Sequence, residues 1–165
     1  MENRIIIITG GANGLGLELV KQSIEKGLFV CNIDRDFEKM KMLNNTYKEN
    51  YKGFIGDISD EEFIVNTIKE ISNLGNIKIL INNAGEPSFK VPTLYNKNDI
   101  TKCFKGLEGM ILLSTEVLKA KNEKDLKIVN IMSSAALRGN KQEAVYCATK
   151  WGEKGYTESL KVAYK

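Results

Sequence analysis

Arg4-Ile5-Ile6-Ile7-Ile8-Thr9-Gly10-Gly11-Ala12-Asn13-Gly14-Leu15-Gly16 is the stretch whose reading decides the fold. Arg4 to Thr9 is a short β-branched run with no alternation, which is how a parallel strand covered on both faces reads. Glycines follow at once, and then a helical pattern runs from Gly14 to Lys26. Leu15, Leu19 and Ile24 form its apolar side, and Gly27 stands at the position after the helix. A strand, a glycine-rich turn and a helix in that order favour anion binding. The glycines let the backbone turn sharply, and the helix start offers free N–H groups and a positive dipole end. No Lys-Ser or Lys-Thr follows the glycines, so the turn is not a Walker loop. A plain tight turn that needs glycine for positive φ is the competing structural reading.

The rest of the chain repeats the alternation. Leu28 to Ile33 reads as a second strand and Asp36 to Tyr47 as a charged, exposed helix. Lys52 to Ile55 is a weak third strand. Ser59-Asp60-Glu61-Glu62 has the capping-box form, with Ser59 as cap, and opens a helix over Phe63, Ile64, Ile68 and Ile71 that ends near Gly75. Ile77 to Ile81 is the fourth strand, running into Asn82-Asn83-Ala84-Gly85. A loop with both prolines, Pro87 and Pro92, precedes a long helix from about Asp99 to Lys121. Leu126 to Ile131 is the fifth strand, and the last helix starts near Gln142 and continues toward Lys165. The expected fold class is α/β: one three-layer, doubly wound parallel sheet of order 3-2-1-4-5 spanning residues 1–165. Ligands of such sheets bind at the carboxyl ends of the strands, where this chain places its glycines, asparagines and hydroxyls.

Composition excludes several function classes. The chain of 165 residues has no histidine, which removes imidazole bases and ligands. Net charge is only +3, too small and dispersed to argue for nucleic acid or an acidic membrane surface. No apolar run approaches the ~18 residues of a membrane span. Cys31, Cys103 and Cys147 are odd in number and far apart, fitting neither a disulfide framework nor a metal knuckle. No metal site and a cytoplasmic setting are expected.

Two further constellations carry chemistry. Asp34 ends the second strand, where a carboxylate can accept hydrogen bonds from both ribose hydroxyls and repel a 2′-phosphate. That favours NAD over NADP, while Arg35, directly after it, could pair with a phosphate and leaves NADP open. A solvated strand-end acid or helix cap is the plainer reading of Asp34. Tyr146 and Lys150 are four apart on the last helix and share a face. An ammonium beside a phenol favours the phenolate, so the pair can serve as general acid or base on an alcohol or carbonyl. Ser133, just past the fifth strand, can hydrogen-bond the same substrate oxygen. The ordinary readings are a surface Tyr–Lys pair and a serine that caps a turn.

Taken together, Thr9-Gly10-x-x-x-Gly14-x-Gly16, Asp57, Asn82-Asn83-Ala84-Gly85, Ser133 and Tyr146-Cys147-Ala148-Thr149-Lys150 resemble the short-chain dehydrogenase/reductase (SDR) family, over essentially the whole chain. The resemblance implies a Rossmann-type domain and NAD(P)-dependent hydride transfer on an alcohol/carbonyl pair. Tyr146 would be the acid/base, with Lys150 holding the nicotinamide ribose and Ser133 placing the substrate oxygen. Gly10, Asn13, Gly14, Leu15 and Gly16 would meet the cofactor's phosphates, and Asp34 and Arg35 its adenosine end. Asp57 and Ile58 would border the adenine, and Asn83, Ala84 and Gly85 the adjoining ribose. A homodimer or homotetramer acting on a small molecule is the implied assembly, with contacts near Gly106 to Leu118 and Tyr146 to Leu160. The row Met110, Leu113, Val117 and Ala120 suits such a contact or packing on the sheet.

Two departures stand out. Gly106 falls where the family usually carries a relay asparagine, and a second glycine, Gly109, follows. The chain also ends inside its last helix, after the sixth helix of the family pattern and before two further strands. It is therefore expected to be a fragment, or to have the edge Lys127 to Ile131 covered by another chain. A non-catalytic dinucleotide-binding regulator or scaffold is the alternative function, and an α/β interaction domain a third.

Overall fold

The computed structural model describes residues 3–120 and 125–164. Five strands, β1 (Asn3–Thr9), β2 (Phe29–Asp34), β3 (Tyr51–Ile55), β4 (Gly75–Asn82) and β5 (Lys127–Asn130), form one sheet of order β3-β2-β1-β4-β5. Every neighbouring pair is parallel. The helices are α1 (Gly14–Glu25), α2 (Phe37–Thr46), α3 (Glu61–Ser72), α4 (Lys97–Ala120) and α5 (Ala144–Ala163). Short 3-10 turns cover Pro92–Leu94 and Ser134–Ala136.

The isoleucines of β1 explain the three layers. Ile5 and Ile7 point to one face and join Ile64, Ile68 and Ile71 of α3 and Leu113 and Val117 of α4. Ile6 and Ile8 point to the other face, with Val20 of α1 and Val30, Tyr51 and Ile81 of the neighbouring strands. All four isoleucines are buried, and each such side chain contributes roughly 1.5–3 kcal/mol by leaving water. A strand that is apolar at every position must be covered twice, and here it is.

Several local expectations shift. The cap of α3 is Asp60, whose carboxylate accepts the Phe63 N–H at 3.1 Å. Ser59 instead turns its hydroxyl to Asp57 at 2.9 Å, so the capping box does not form. On α1, Leu15 is exposed and Val20 takes the buried place expected for it. Gly27 has φ 73° and its N–H donates to the Ile24 carbonyl, stopping the helix as expected. Gly75 opens β4 rather than merely following α3. The row Met110, Leu113 and Val117 is buried, with Leu113 and Val117 packed on the sheet, so it does not form an outer contact face. The expected helix ends at Lys121 and Lys165 lie outside the described residues.

The glycines of α4 do not break it. The helix runs unbroken from Lys97 to Ala120, because Gly109 is a contact: a Cβ there would fall 2.4 Å from Cγ1 of Ile58. The outer edge of β5 carries no strand among the described residues, and Val129 on it is 42% exposed.

Candidate dinucleotide crevice and acid/base pair

The strand order reverses between β1 and β4, and there the ends of the two strands are tied together. Thr9 Oγ accepts the backbone N–H groups of Asn83 and Ala84, each at 3.0 Å. The Asn83 side-chain amide donates back to the carbonyls of Thr9 at 3.0 Å and Gly10 at 3.3 Å. Asn83 therefore braces the turn rather than lining the cavity. Gly16 is required here, since a Cβ would sit 2.1 Å from the Gly10 carbonyl oxygen. Gly10 and Gly14 have φ of 69° and 52°, where other residues are strained.

Helix α1 begins at this turn without a side-chain cap. Its first-turn N–H groups have no partner within the helix. The Asn13 side chain is engaged by Lys39 instead.

A cavity of about 610 Å³ opens beside the turn. Gly10, Asn13, Asp34, Arg35, Asp57, Ile58, Ala84 and Gly85 line it, eight of the residues expected to meet a cofactor. Gly14, Leu15, Gly16, Asn83, Tyr146 and Lys150, also expected to meet it, do not line this cavity, and neither does Ser133. The volume suits a nucleotide-sized ligand. Two positive-φ glycines, an uncapped helix start and this space together fit a dinucleotide.

Asp34, Arg35 and Asp57 of the cavity are each held by partners. Asp34 accepts the Ala12 N–H at 2.9 Å and the Asp36 N–H at 3.0 Å, one on each carboxylate oxygen. It thereby closes the turn, and further acceptor positions on its oxygens remain for a ribose. Arg35 bridges to Glu86 at 2.8 Å across the mouth, from the end of β2 to the segment after β4. That hydrogen bond holds the guanidinium more firmly charged. Asp57 pairs with Lys105 at 2.9 Å. Burial pushes its carboxyl up, but hydrogen bonds from the Ser59 backbone and Lys105 outweigh this and hold it below the usual carboxylate range.

The expected acid/base residues stand at the other end. Lys150 is buried, with Nζ 5.7 Å from the centroid of the half-buried Tyr146 ring. The same Nζ would lie 3.6 Å from a Cβ placed on Gly85, which brings the α5 pair to the wall of the crevice. Ser133 caps the turn Ser134–Ala136, its oxygen accepting the Ala135 N–H at 3.2 Å, so its hydroxyl proton remains available to donate. Gly106 lines the cavity and would place a Cβ 3.5 Å from the Gly85 Cα.

Two features escaped sequence reading. The first is a polar ladder beneath the crevice. The Asn82 amide donates to Ser114 at 3.1 Å and Asn130 at 2.8 Å, and Asn130 donates to Thr157 at 2.8 Å, joining β4, α4, β5 and α5. The second is Glu153, whose buried carboxylate receives Lys150 at 2.7 and 3.0 Å. Its i, i+3 spacing from Lys150 was visible, but its burial was not.

The family model for the short chain dehydrogenases matches residues 4–165. The chain belongs to that family. It is 33% identical over 156 residues to the 3-oxoacyl-[acyl-carrier-protein] reductase FabG of Rickettsia typhi, covering 93% of this chain and 64% of that protein. A short-chain dehydrogenase/reductase from Vibrio parahaemolyticus superposes with a TM-score of 0.86 at 27% identity, over 97% of this chain and 70% of the other. A short-chain dehydrogenase from Streptomyces avermitilis superposes with a TM-score of 0.91 at 21% identity, over 98% and 61%, and speaks to the fold alone. This SDR chain thus spans about 64% of the length of the curated relative it matches. None of its described helices is long and apolar enough to cross a membrane.

Proposed function

We propose that this chain forms the dinucleotide-binding and acid/base part of an NAD(P)-dependent oxidoreductase that interconverts an alcohol and a carbonyl. The supporting observation is the approach of Lys150 to Gly85 with Tyr146 on the same ammonium, which links the α5 pair to the cavity beside the glycine turn. The cofactor supplies the hydride when bound, and the protein supplies orientation and one proton. Tyr146 carries that proton at its phenol oxygen. Lys150 holds the nicotinamide ribose, and Ser133 donates its hydroxyl proton to the substrate oxygen. The first-turn amides of α1 take the diphosphate, and Asp34 the adenosine ribose.

The carboxylate of Asp34 favours NAD over NADP, since a 2′-phosphate would meet a negative group fixed by two backbone amides. Release of Arg35 from Glu86 would be the route to accepting NADP. The relatives' named substrate, a 3-oxoacyl group on acyl-carrier protein, is the first class to assay. Ile100, Phe104 and Ile111 are exposed on α4 and Trp151 on α5, which supports self-association as a homodimer or homotetramer. A cytoplasmic setting is consistent with three free, buried cysteines, of which Cys31 is pushed by burial up to about 12.

Tyr146→Phe tests the role directly. Loss of a positioned acid/base should lower NAD(P)H-linked turnover by about 10²–10⁴-fold with dinucleotide affinity retained. Undiminished turnover would remove Tyr146 from the chemistry. The non-catalytic alternative draws on Gly106, which offers the cavity no side-chain amide. It predicts dinucleotide binding without turnover on any alcohol or carbonyl.

A further inference from the structure

Glu153 lies one helical turn beyond Lys150 and is only 3% exposed. Both of its oxygens contact Nζ of Lys150, at 3.0 and 2.7 Å, and the third acceptor of that ammonium is the Ile131 carbonyl at 3.4 Å. Lys150 is the ion-pair partner of Glu153; burial pushes the carboxyl up and the ammonium draws it back. A buried ion pair is poor stabilisation, since apolar residues of similar volume commonly serve as well or better. This one sits where Lys150 reaches the crevice wall at Gly85. The acid/base assignment has no use for a carboxylate there.

Its consequence is charge. Lys150 and Glu153 sum to zero, whether the shared proton rests on nitrogen or oxygen. A nicotinamide ring carries a positive charge when oxidised and none when reduced. A lone ammonium would repel the oxidised ring across a low-dielectric site, whereas a neutral pair does not. We propose that Glu153 is a positioning residue that cancels the charge of Lys150, keeping the nicotinamide half of the crevice neutral and open to the oxidised ring. The inference rests on the proposed function, in which Lys150 stands beside the nicotinamide ribose.

The test compares binding of NAD⁺, NADH and ADP-ribose, which lacks the ring, by calorimetry on the full chain. In Glu153→Gln the ratio Kd(NAD⁺)/Kd(NADH) should rise about three- to tenfold, with ADP-ribose affinity held within about twofold. Glu153→Asp keeps the charge and should restore the wild-type ratio. A flat ratio in Glu153→Gln, or an equal loss for all three ligands, overturns the proposal, because a merely structural role would weaken them alike. Glu153→Gln leaves an ammonium buried without its partner, so its folding is itself at risk. Should it fail to fold, Glu153→Ser, which removes the charge and leaves room for water beside the ammonium, decides by the same measurement: a ratio raised about threefold or more supports the proposal, and a flat ratio overturns it. A wild-type chain that binds none of the three ligands overturns the dinucleotide reading and this inference with it. Wild-type binding with a flat variant ratio overturns the inference alone.

Discussion

The two ends of the crevice are built from different materials. The β1–β4 end is made of main chain: Thr9 holds two backbone amides, Asp34 holds two more, and Gly16 admits the Gly10 carbonyl. The α5 end is made of side chains, with Lys150 paired to Glu153 and standing by the Tyr146 ring, and a chain of side-chain amides below. Main-chain construction tolerates almost no added atoms. Side-chain construction tolerates changes of shape but depends on each charge keeping its partner. The first end should respond to substitution as a fold would, and the second as an electrostatic device would.

Gly16→Val should separate them most sharply. The new Cβ meets backbone at 2.1 Å, where nothing can swing aside. We expect a loss of about 3 kcal/mol or more in denaturant unfolding, with dinucleotide binding abolished. A stable, binding-competent Gly16→Val chain would break the contrast. Asp34→Ala comes next. It leaves the Ala12 and Asp36 amides without their carboxylate, at a cost of about 1–3 kcal/mol, and should narrow any preference for NADH over NADPH in parallel titrations.

Lys105→Met is the mildest. The Asp57 carboxyl lies below its ordinary value in the folded chain. Its contribution is therefore present above the unfolded-state value and fades as pH falls through the folded-state one. Wild type and Lys105→Met should differ only slightly in unfolding stability near neutrality, since the pair is exposed to water. The difference should vanish in strong acid. A difference that grows on acidification would have the wrong sign.

The same contrast explains what could be read from the chain. Ile5 to Ile8, Gly10 to Gly16 and Asp34 act through backbone geometry and burial, and these leave periodic or compositional marks. Strand order and the three layers followed from them, whereas Asp57 and Ile58 of the cavity were expected only through the family resemblance. Glu153 left no such mark, because an acid in a helix is usually solvated and its burial depends on how α5 meets α4. Leu107 packs against Gly152 at that contact, with 2.7 Å from the leucine Cδ2 to where a Cβ would stand. The true cap of α3 was missed for a related reason: Ser59 and Asp60 are both good caps, and only the Ser59–Asp57 hydrogen bond decides between them. The Met110 row had two physically equal readings until the sheet packed against it.

Trp151 gives the most direct test of the central claim, that the α1 turn and the α5 pair serve one ligand. It is the only tryptophan and follows Lys150, far in sequence from the turn. Titrating NADH into the chain should quench its emission saturably, and the quench should disappear in Gly16→Val even though that residue is on a different helix. Emission that stays flat in the wild-type chain, or falls equally in both, would contradict the account.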